Sequence, residues 1–498
     1  MTKAQGPGTD GSSGNLSGMI AIGGLWLASS RAVRAASNLL AVVVLARLLS
    51  PADFGVIALV LSSTVLSLLL LEGVIDYPLS SRTDLHGDTV QSVLWLGFAC
   101  MGLMSVVIYL AAPHLEAAIQ FPRLADSLRA VIPVYLGQVF FVAGCALLKR
   151  RKRFQDIAKV SFCSAFIYLV MAVLLALAGM GLWSIILAQV TASLVATLIV
   201  GRLAQLSTSL PRRWSMAPVA STSMNGFAAR SLAWIWTNFD TFAVSAHLGP
   251  AATGIYSRGY NLCVQLKEPF QALNEPLRQA FVSIQQRNGQ LAGSVIQGLR
   301  LAMLLSGLIA SACIALREPI VLVLLGSQWQ EVAPVLGLLA AGLPARVALN
   351  MLENMDLSIN RLGPTLVRHV FLVVVVGFGV FAAAPHGLVA VSALVTSSLF
   401  LALLLPRRSE ERSVGTPGII AAIAPGLILG GLLAAASHYL VQPLFVDPLF
   451  GWVSILAMYM FVTTGLVAFL PASWLPNSVQ KKRLATIQKI LRRTKPTQ

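Results

Sequence analysis

The sequence predicts an all-α polytopic membrane protein with about 14 transmembrane helices. Three observations lead there. Of 498 residues, 56% are hydrophobic and only 11% charged, and the mean hydropathy is +0.78, so the chain has more apolar surface than a water-soluble globule can hide. Apolar stretches of about 20 residues, the length that crosses a bilayer, recur from one end to the other. The remaining cations gather in alternate breaks between those stretches.

Residues 1–18 are polar and rich in Gly and Ser, without the basic segment and short apolar core of a cleaved signal, and are expected to form a disordered cytoplasmic tail. Six spans follow, near 20–47, 53–75, 89–112, 127–148, 157–179 and 181–201, making an N-lobe over 19–202. A polar linker, 203–223, contains SLPRRWSMAPVASTS. The C-lobe, 224–405, holds six more spans near 225–248, 251–282, 293–325, 331–357, 362–384 and 386–405. Two accessory spans, near 417–440 and 448–470, occupy 406–470. The last segment, 471–498, is basic, and Leu484, Ile487 and Leu491 recur on one helical face, as expected for an interfacial helix on anionic lipid.

An even number of spans puts both ends on one side, and loop charge says which. Lys149 to Arg153 (KRRKR), Arg202, Arg212, Arg213, Arg287, Arg361 and PRRSEER (406–412) all fall in loops of one side, while the opposite loops are short and near neutral. Both termini are therefore expected in the cytoplasm. The net charge of +17 is distributed over these loops and the tail, which points to membrane topology and anionic lipid rather than to nucleic acid.

The chain also repeats itself. Spans one and seven end in LLSPADFG (48–55) and HLGPAATG (247–254), offset by 199 residues, and the same offset carries Arg31 onto Arg230. Six spans separate the copies, so the lobes have the same orientation and are related by an axis along the membrane normal. Parallel repeats of this kind place a substrate path at their interface.

An ionisable residue inside a span costs several kcal/mol and marks a candidate functional position. Cations dominate: Arg31 and Arg34 share a face of span one, Arg230 lies in span seven, Arg258 opens span eight, and Arg346 and Arg368 belong to the spans ten and eleven region. Guanidinium forks suit phosphate and carboxylate. Arg31, Arg34, Arg230, Arg258 and Arg346 are the candidate substrate-binding cations of a cavity, the competing reading being snorkelling or pairing with acids. Asp240, with Asn238 nearby, either pairs with an arginine or exchanges a coupling ion. Glu353, Asp356, Glu72 and Asp76 are expected at the cytoplasmic rim. Trp234 and Trp236 fit an interfacial belt or stacking on sugar rings.

Several chemistries find no support. Cys100, Cys145, Cys163, Cys263 and Cys313 lie in apolar runs without CxxC spacing, so they read as packing residues, with neither metal nor disulfide framework. No GxxxxGK[ST] loop or other cofactor motif occurs. An embedded polymerase or ligase would need an acid/base pair in a sizeable periplasmic loop, and none is present.

The runs LARLLSPADFGVIALV (45–60), DYPLSSR (76–82) and GIYSRGYNL (254–262) resemble the polysaccharide transporter family of the multidrug/oligosaccharidyl-lipid/polysaccharide flippase superfamily. One departure is Val282, where the family usually has proline. The resemblance implies two six-helix lobes around a cavity lined by helices one and seven, and two accessory helices. It further implies a bacterial inner-membrane flippase for oligosaccharides on undecaprenyl pyrophosphate, serving exopolysaccharide, capsule or O-antigen synthesis. Under it, Arg31, Arg34 and Arg230 hold the pyrophosphate or acidic sugars, a proton or Na⁺ is the candidate counter-ion, and polymerase and export machinery are candidate partners. The alternatives are an ion-coupled small-molecule antiporter of the same superfamily, which should need embedded carboxylates instead, and the polymerase or ligase above.

Overall fold

The computed structural model describes residues 33–34, 36–76, 78–79, 87–206, 209–211, 214, 224–271, 291–358 and 363–405, with scattered positions from 424 to 459. The regular elements among these described residues are all helical. The 1–18 tail, Arg31, most of the linker and accessory spans, Val282 and the 471–498 tail lie outside the described residues.

Helix α1, Ala36–Leu48, leads to a sharp turn at Ser50. Helix α2, Pro51–Leu71, starts there because its first turn is satisfied twice over: Ser50 Oγ accepts the Asp53 N–H at 3.3 Å, and Asp53 Oδ2 accepts the Ser50 N–H at 3.1 Å. Pro51, whose missing N–H costs nothing at this position, completes the start. The helix ends in a π-helical turn, Glu72–Asp76. Helices α3 (Gly87–Ile119), α4 (Leu124–Ala130), α5 (Ile132–Arg150), α6 (Phe154–Leu177) and α7 (Leu182–Ala204) follow. Only 120–123 separate α3 from α4, and Glu116 Oε2 accepts the Ala125 N–H at 2.7 Å to cap the latter. This connection is too short to house a catalytic loop.

Packing inside these helices follows the rules of an apolar solvent. Ser62, Ser63, Thr64 and Ser67 of α2 donate to carbonyls three residues back, hiding their hydroxyls. Ser63 and Ser67 also reach α5, at 2.7 Å to the Tyr135 hydroxyl and 2.5 Å to Gln138 Oε1. Helices α5 and α7 approach so closely at Gly144 that a methyl there would strike Val200. Cys145 joins Leu148, Ile157, Val160, Ala196 and Val200 in the apolar core beneath, and all five cysteines are free thiols.

Helix α8, Met224–Gln271, is two arms joined at Gly249 (φ 78°, ψ −175°), a left-handed break natural to glycine. Helices α9 (Leu291–Ala315), α10 (Arg317–Leu324), α11 (Val332–Ala341), α12 (Leu343–Ser358), α13 (Gly363–Ala383) and α14 (Leu388–Leu404) complete the series. The expected span 293–325 is thus two helices, α9 and α10, and the span 331–357 is bent by 44° between α11 and α12. Among the described residues seven helical stretches are long and apolar enough to cross a membrane, or eight if the bent pair counts as one span.

Large apolar side chains stand outside rather than inside: Leu103 is 67% and Phe378 79% exposed, joined by Val106, Leu110, Phe166 and Leu177. A water-facing surface does not carry apolar patches of this extent, whereas lipid accepts them. The chain is a multi-pass membrane protein. It divides into two compact units, one comprising residues up to Ser257 with Leu324–Gly326, the other comprising Arg258–Val323 and the residues from Ser327 onward.

Candidate functional site

In the first unit the polar centre is built on the arms of α8. Asp240, 1% exposed, stands on the first arm, and Tyr256, fully buried, on the second. The tyrosine hydroxyl donates to Asp240 Oδ2 at 2.7 Å, and the Thr241 N–H donates to Oδ1 at 2.6 Å. A buried carboxylate is thereby satisfied while the bond clamps the two arms across Gly249. Tyr256→Phe is expected to lower stability by about 1–3 kcal/mol, since it strands an acceptor in the interior; thermal unfolding in detergent measures it, and an unchanged midpoint would show that the clamp is dispensable.

Asn238 serves its own helix, donating to the Trp234 carbonyl at 2.9 Å. Trp234 packs against Phe242 with ring centroids 6.4 Å apart. The indole N–H groups of Trp234 and Trp236 are shielded, and neither donates a hydrogen bond within the structure. Buried indoles ordinarily find an acceptor, so these two N–H groups are candidate donors to a bound molecule.

Elsewhere in the same unit, two of the cations assigned to one side by the charge rule line a cavity. A cavity of about 460 Å³ is lined by Gly87 and Gln91 at the start of α3, Arg150 and Arg151 at the end of α5, and Gln205 and Leu206 beyond α7. Within KRRKR, Lys149 Nζ pairs with Asp76 at 3.0 Å and Arg153 with Asp156 at 2.6 Å. Three segments expected on one face of the membrane contribute to the lining of this cavity.

In the second unit, Arg258 and Arg346 are each 6% exposed. Arg346 Nη1 donates to the Tyr260 hydroxyl at 3.2 Å, with the guanidinium carbon 4.9 Å from the ring centre, so the ring carries part of its charge. Arg368 is a different case. Its Nη2 lies 2.9 Å from Asp356 Oδ2, which also accepts from Thr365 at 2.9 Å, and the aspartate is fully buried. Asp356 is therefore an interior counter-charge and not a rim residue, because Arg368 on the next helix needs one where water is absent.

Of the remaining candidates, Arg34 is exposed at the beginning of α1, Arg31 lies outside the described residues, and Arg230 is on α8 with its side chain outside them. Residue types alone did not single out Tyr256 and Tyr260. Their spacing did hold a signal: they flank Arg258 in GIYSRGYNL, one helical turn apart. These three positions have no polar counterpart in the first repeat. The positions 199 residues before Asp240, Tyr256 and Arg258 are Ala41, Ile57 and Leu59, all buried and apolar.

A family model described as polysaccharide biosynthesis protein matches residues 44–334, more than half of the chain. The chain belongs to this family. Among the described residues no group of three His, Cys, Asp or Glu is placed to hold a metal ion. A curated relative, the succinoglycan biosynthesis transport protein ExoT of Rhizobium meliloti (strain 1021), is 33% identical over 314 residues, and the match spans 60% of the length of each protein. Among solved structures, the lipid II flippase MurJ in an inward closed conformation is similar with a TM-score of 0.72 at 11% identity, covering 90% of this chain and 99% of that one. An inward-facing multidrug resistance MATE family transporter of the MOP superfamily is similar with a TM-score of 0.63 at 10% identity, covering 81% and 95%. At these identities the two likenesses show a shared fold and carry no role over to this chain.

Proposed function

We propose that this protein is a flippase moving undecaprenyl-pyrophosphate-linked oligosaccharide repeat units across the bacterial inner membrane, for exopolysaccharide, capsule or O-antigen synthesis. The observation that carries the reading is the match to a relative named for succinoglycan transport, within a family named for polysaccharide biosynthesis. The chemistry of the interior supports it. Arg258 and Arg346 are cations held away from bulk water, suited to phosphate or acidic sugar, and the indoles of Trp234 and Trp236 offer donors and apolar faces of the kind that meet sugar rings. The work is translocation, not bond making.

The headgroup enters from the cytoplasmic leaflet, is held by Arg31, Arg34, Arg230, Arg258 and Arg346, and leaves on the periplasmic side by alternating access, the lipid tail staying in the bilayer. Asp240 is the carboxylate offered for exchange of a proton or Na⁺. Both termini are cytoplasmic, with the basic C-terminal segment on anionic lipid, and the polymerase and export machinery act downstream.

Deleting the gene tests the reading. Surface polysaccharide should be lost and complete lipid-linked repeat units should accumulate on the cytoplasmic face. Complete units on the periplasmic face, unpolymerised, would overturn it in favour of a polymerisation role. Normal polysaccharide with raised sensitivity to small toxic cations would favour the antiporter.

A further inference from the structure

The two copies of the repeated turn touch each other inside the first unit. Ser50, where α1 passes into α2, and Gly249, where α8 breaks, are 199 residues apart, as are Pro51 and Pro250, and Gly55 and Gly254. A β-carbon on Gly55 would collide with the carbonyl of Pro250, and one on Gly254 would collide with the carbonyl of Pro51. The Gly254 β-carbon position also lies 3.2 Å from the Gly55 backbone nitrogen. Each copy's glycine is therefore the seat of the other copy's proline, and the contact is reciprocal.

Its chemistry is unusual for a helix contact. The atoms in the way are backbone on both sides, so no rotamer change makes room, in contrast to Gly97, where the nearest atom is the end of the Ile75 side chain. Around the contact, Phe54 is 1%, Thr253 0% and Tyr256 0% exposed, so the seal excludes solvent. Small residues let backbones meet closely and gain dispersion energy over a short length. Backbone and proline surfaces of this kind part and re-form without stranding a charge.

We propose that Gly55 and Gly254 are positioning residues for transport: with Pro51 and Pro250 they form a catch that closes the periplasmic end of the path, and that end opens only when the two repeat-related turns separate. This inference rests on the transport reading above and names the place where one of its states is held shut. Any β-carbon at either glycine biases the molecule toward the open end.

The test reads accessibility and export separately. Thr253→Cys, in a background whose five native cysteines are replaced, is exposed in intact cells to a membrane-impermeant maleimide added from outside. Labelling should be slow with Gly55 in place and accelerate roughly tenfold with Gly55→Leu or Gly254→Leu, as expected when a closed state loses its advantage; in proteins carrying native cysteines, the same substitutions should reduce export by a similar factor. Gly55→Ala should act in the same direction and decides the matter if the leucine variants do not reach the membrane. Gly102→Leu, at a glycine with open space beside it, should change neither reading. Unchanged labelling in Gly55→Ala and Gly254→Ala would overturn the catch. Accelerated labelling together with normal polysaccharide in the gene deletion would leave the catch standing and overturn the transport reading instead.

Discussion

Asp356→Ala is expected to destabilise the second unit by about 3–5 kcal/mol, the usual consequence of removing one partner of a buried ion pair. Asp356 has no exposed surface, and its Oδ2 accepts both from Arg368 at 2.9 Å and from the Thr365 hydroxyl at 2.9 Å. Arg368 is itself only 8% exposed, so without the carboxylate its charge has little water to turn to. Both α12 and α13 lose their anchor together. The double change Asp356→Leu with Arg368→Leu should recover most of the loss, because two apolar side chains of similar volume need no counter-charge. Thermal unfolding in detergent, with protein amounts in the membrane as a second measure, checks both; a loss below about 1 kcal/mol in the single variant would mean that water reaches the pair.

Arg31→Ala and Arg230→Ala are each expected to lower export at least about tenfold, with unchanged amounts of protein in the membrane, and the double variant to abolish it. The two positions correspond across the repeat, so on the proposed reading each copy contributes one guanidinium to the headgroup. Lysine at either position should restore export only in part, since a point charge replaces a planar fork that binds two phosphate oxygens at once. Full export by the double alanine variant would remove these residues from the binding site. Loss of export accompanied by loss of protein would assign them a structural role like that of Arg368.

The sequence was a good guide wherever a property could be summed along a stretch. Span two begins and ends within a few residues of α2 and its π-helical turn, and spans five and six match α6 and α7. Hydropathy summed over a span missed the break at Gly342, which has apolar residues on both sides, and the break at Leu316, where Arg317, Glu318 and Pro319 are outweighed by the apolar residues around them. The turn at Ser50 was foreshadowed by Ser, Pro and Asp in order, and the break at Gly249 by the repeat of the same string.

The candidate site was only partly legible. Arg346 and Arg368 look alike in the sequence, each a lone cation in an apolar run, yet one lies over Tyr260 and the other holds Asp356. The clamp between Asp240 and Tyr256 escaped notice because it joins residues on two arms of a helix whose relation depends on the angle at Gly249.

By itself, then, the sequence determined that this chain lives in a membrane, that its first and seventh spans are copies, and which family it resembles; hydropathy, repetition and motif are all sums over neighbours and need no knowledge of distant partners. Only the tertiary structure decided which buried charges are neutralised within the protein, which shielded indole donors meet no acceptor in the structure, and that Gly55 and Gly254 meet the other copy's proline. Those outcomes depend on how each helix is rotated about its own axis. A rotation of one residue, about 100°, exchanges a lipid-facing side chain for a buried one while leaving every local sum unchanged.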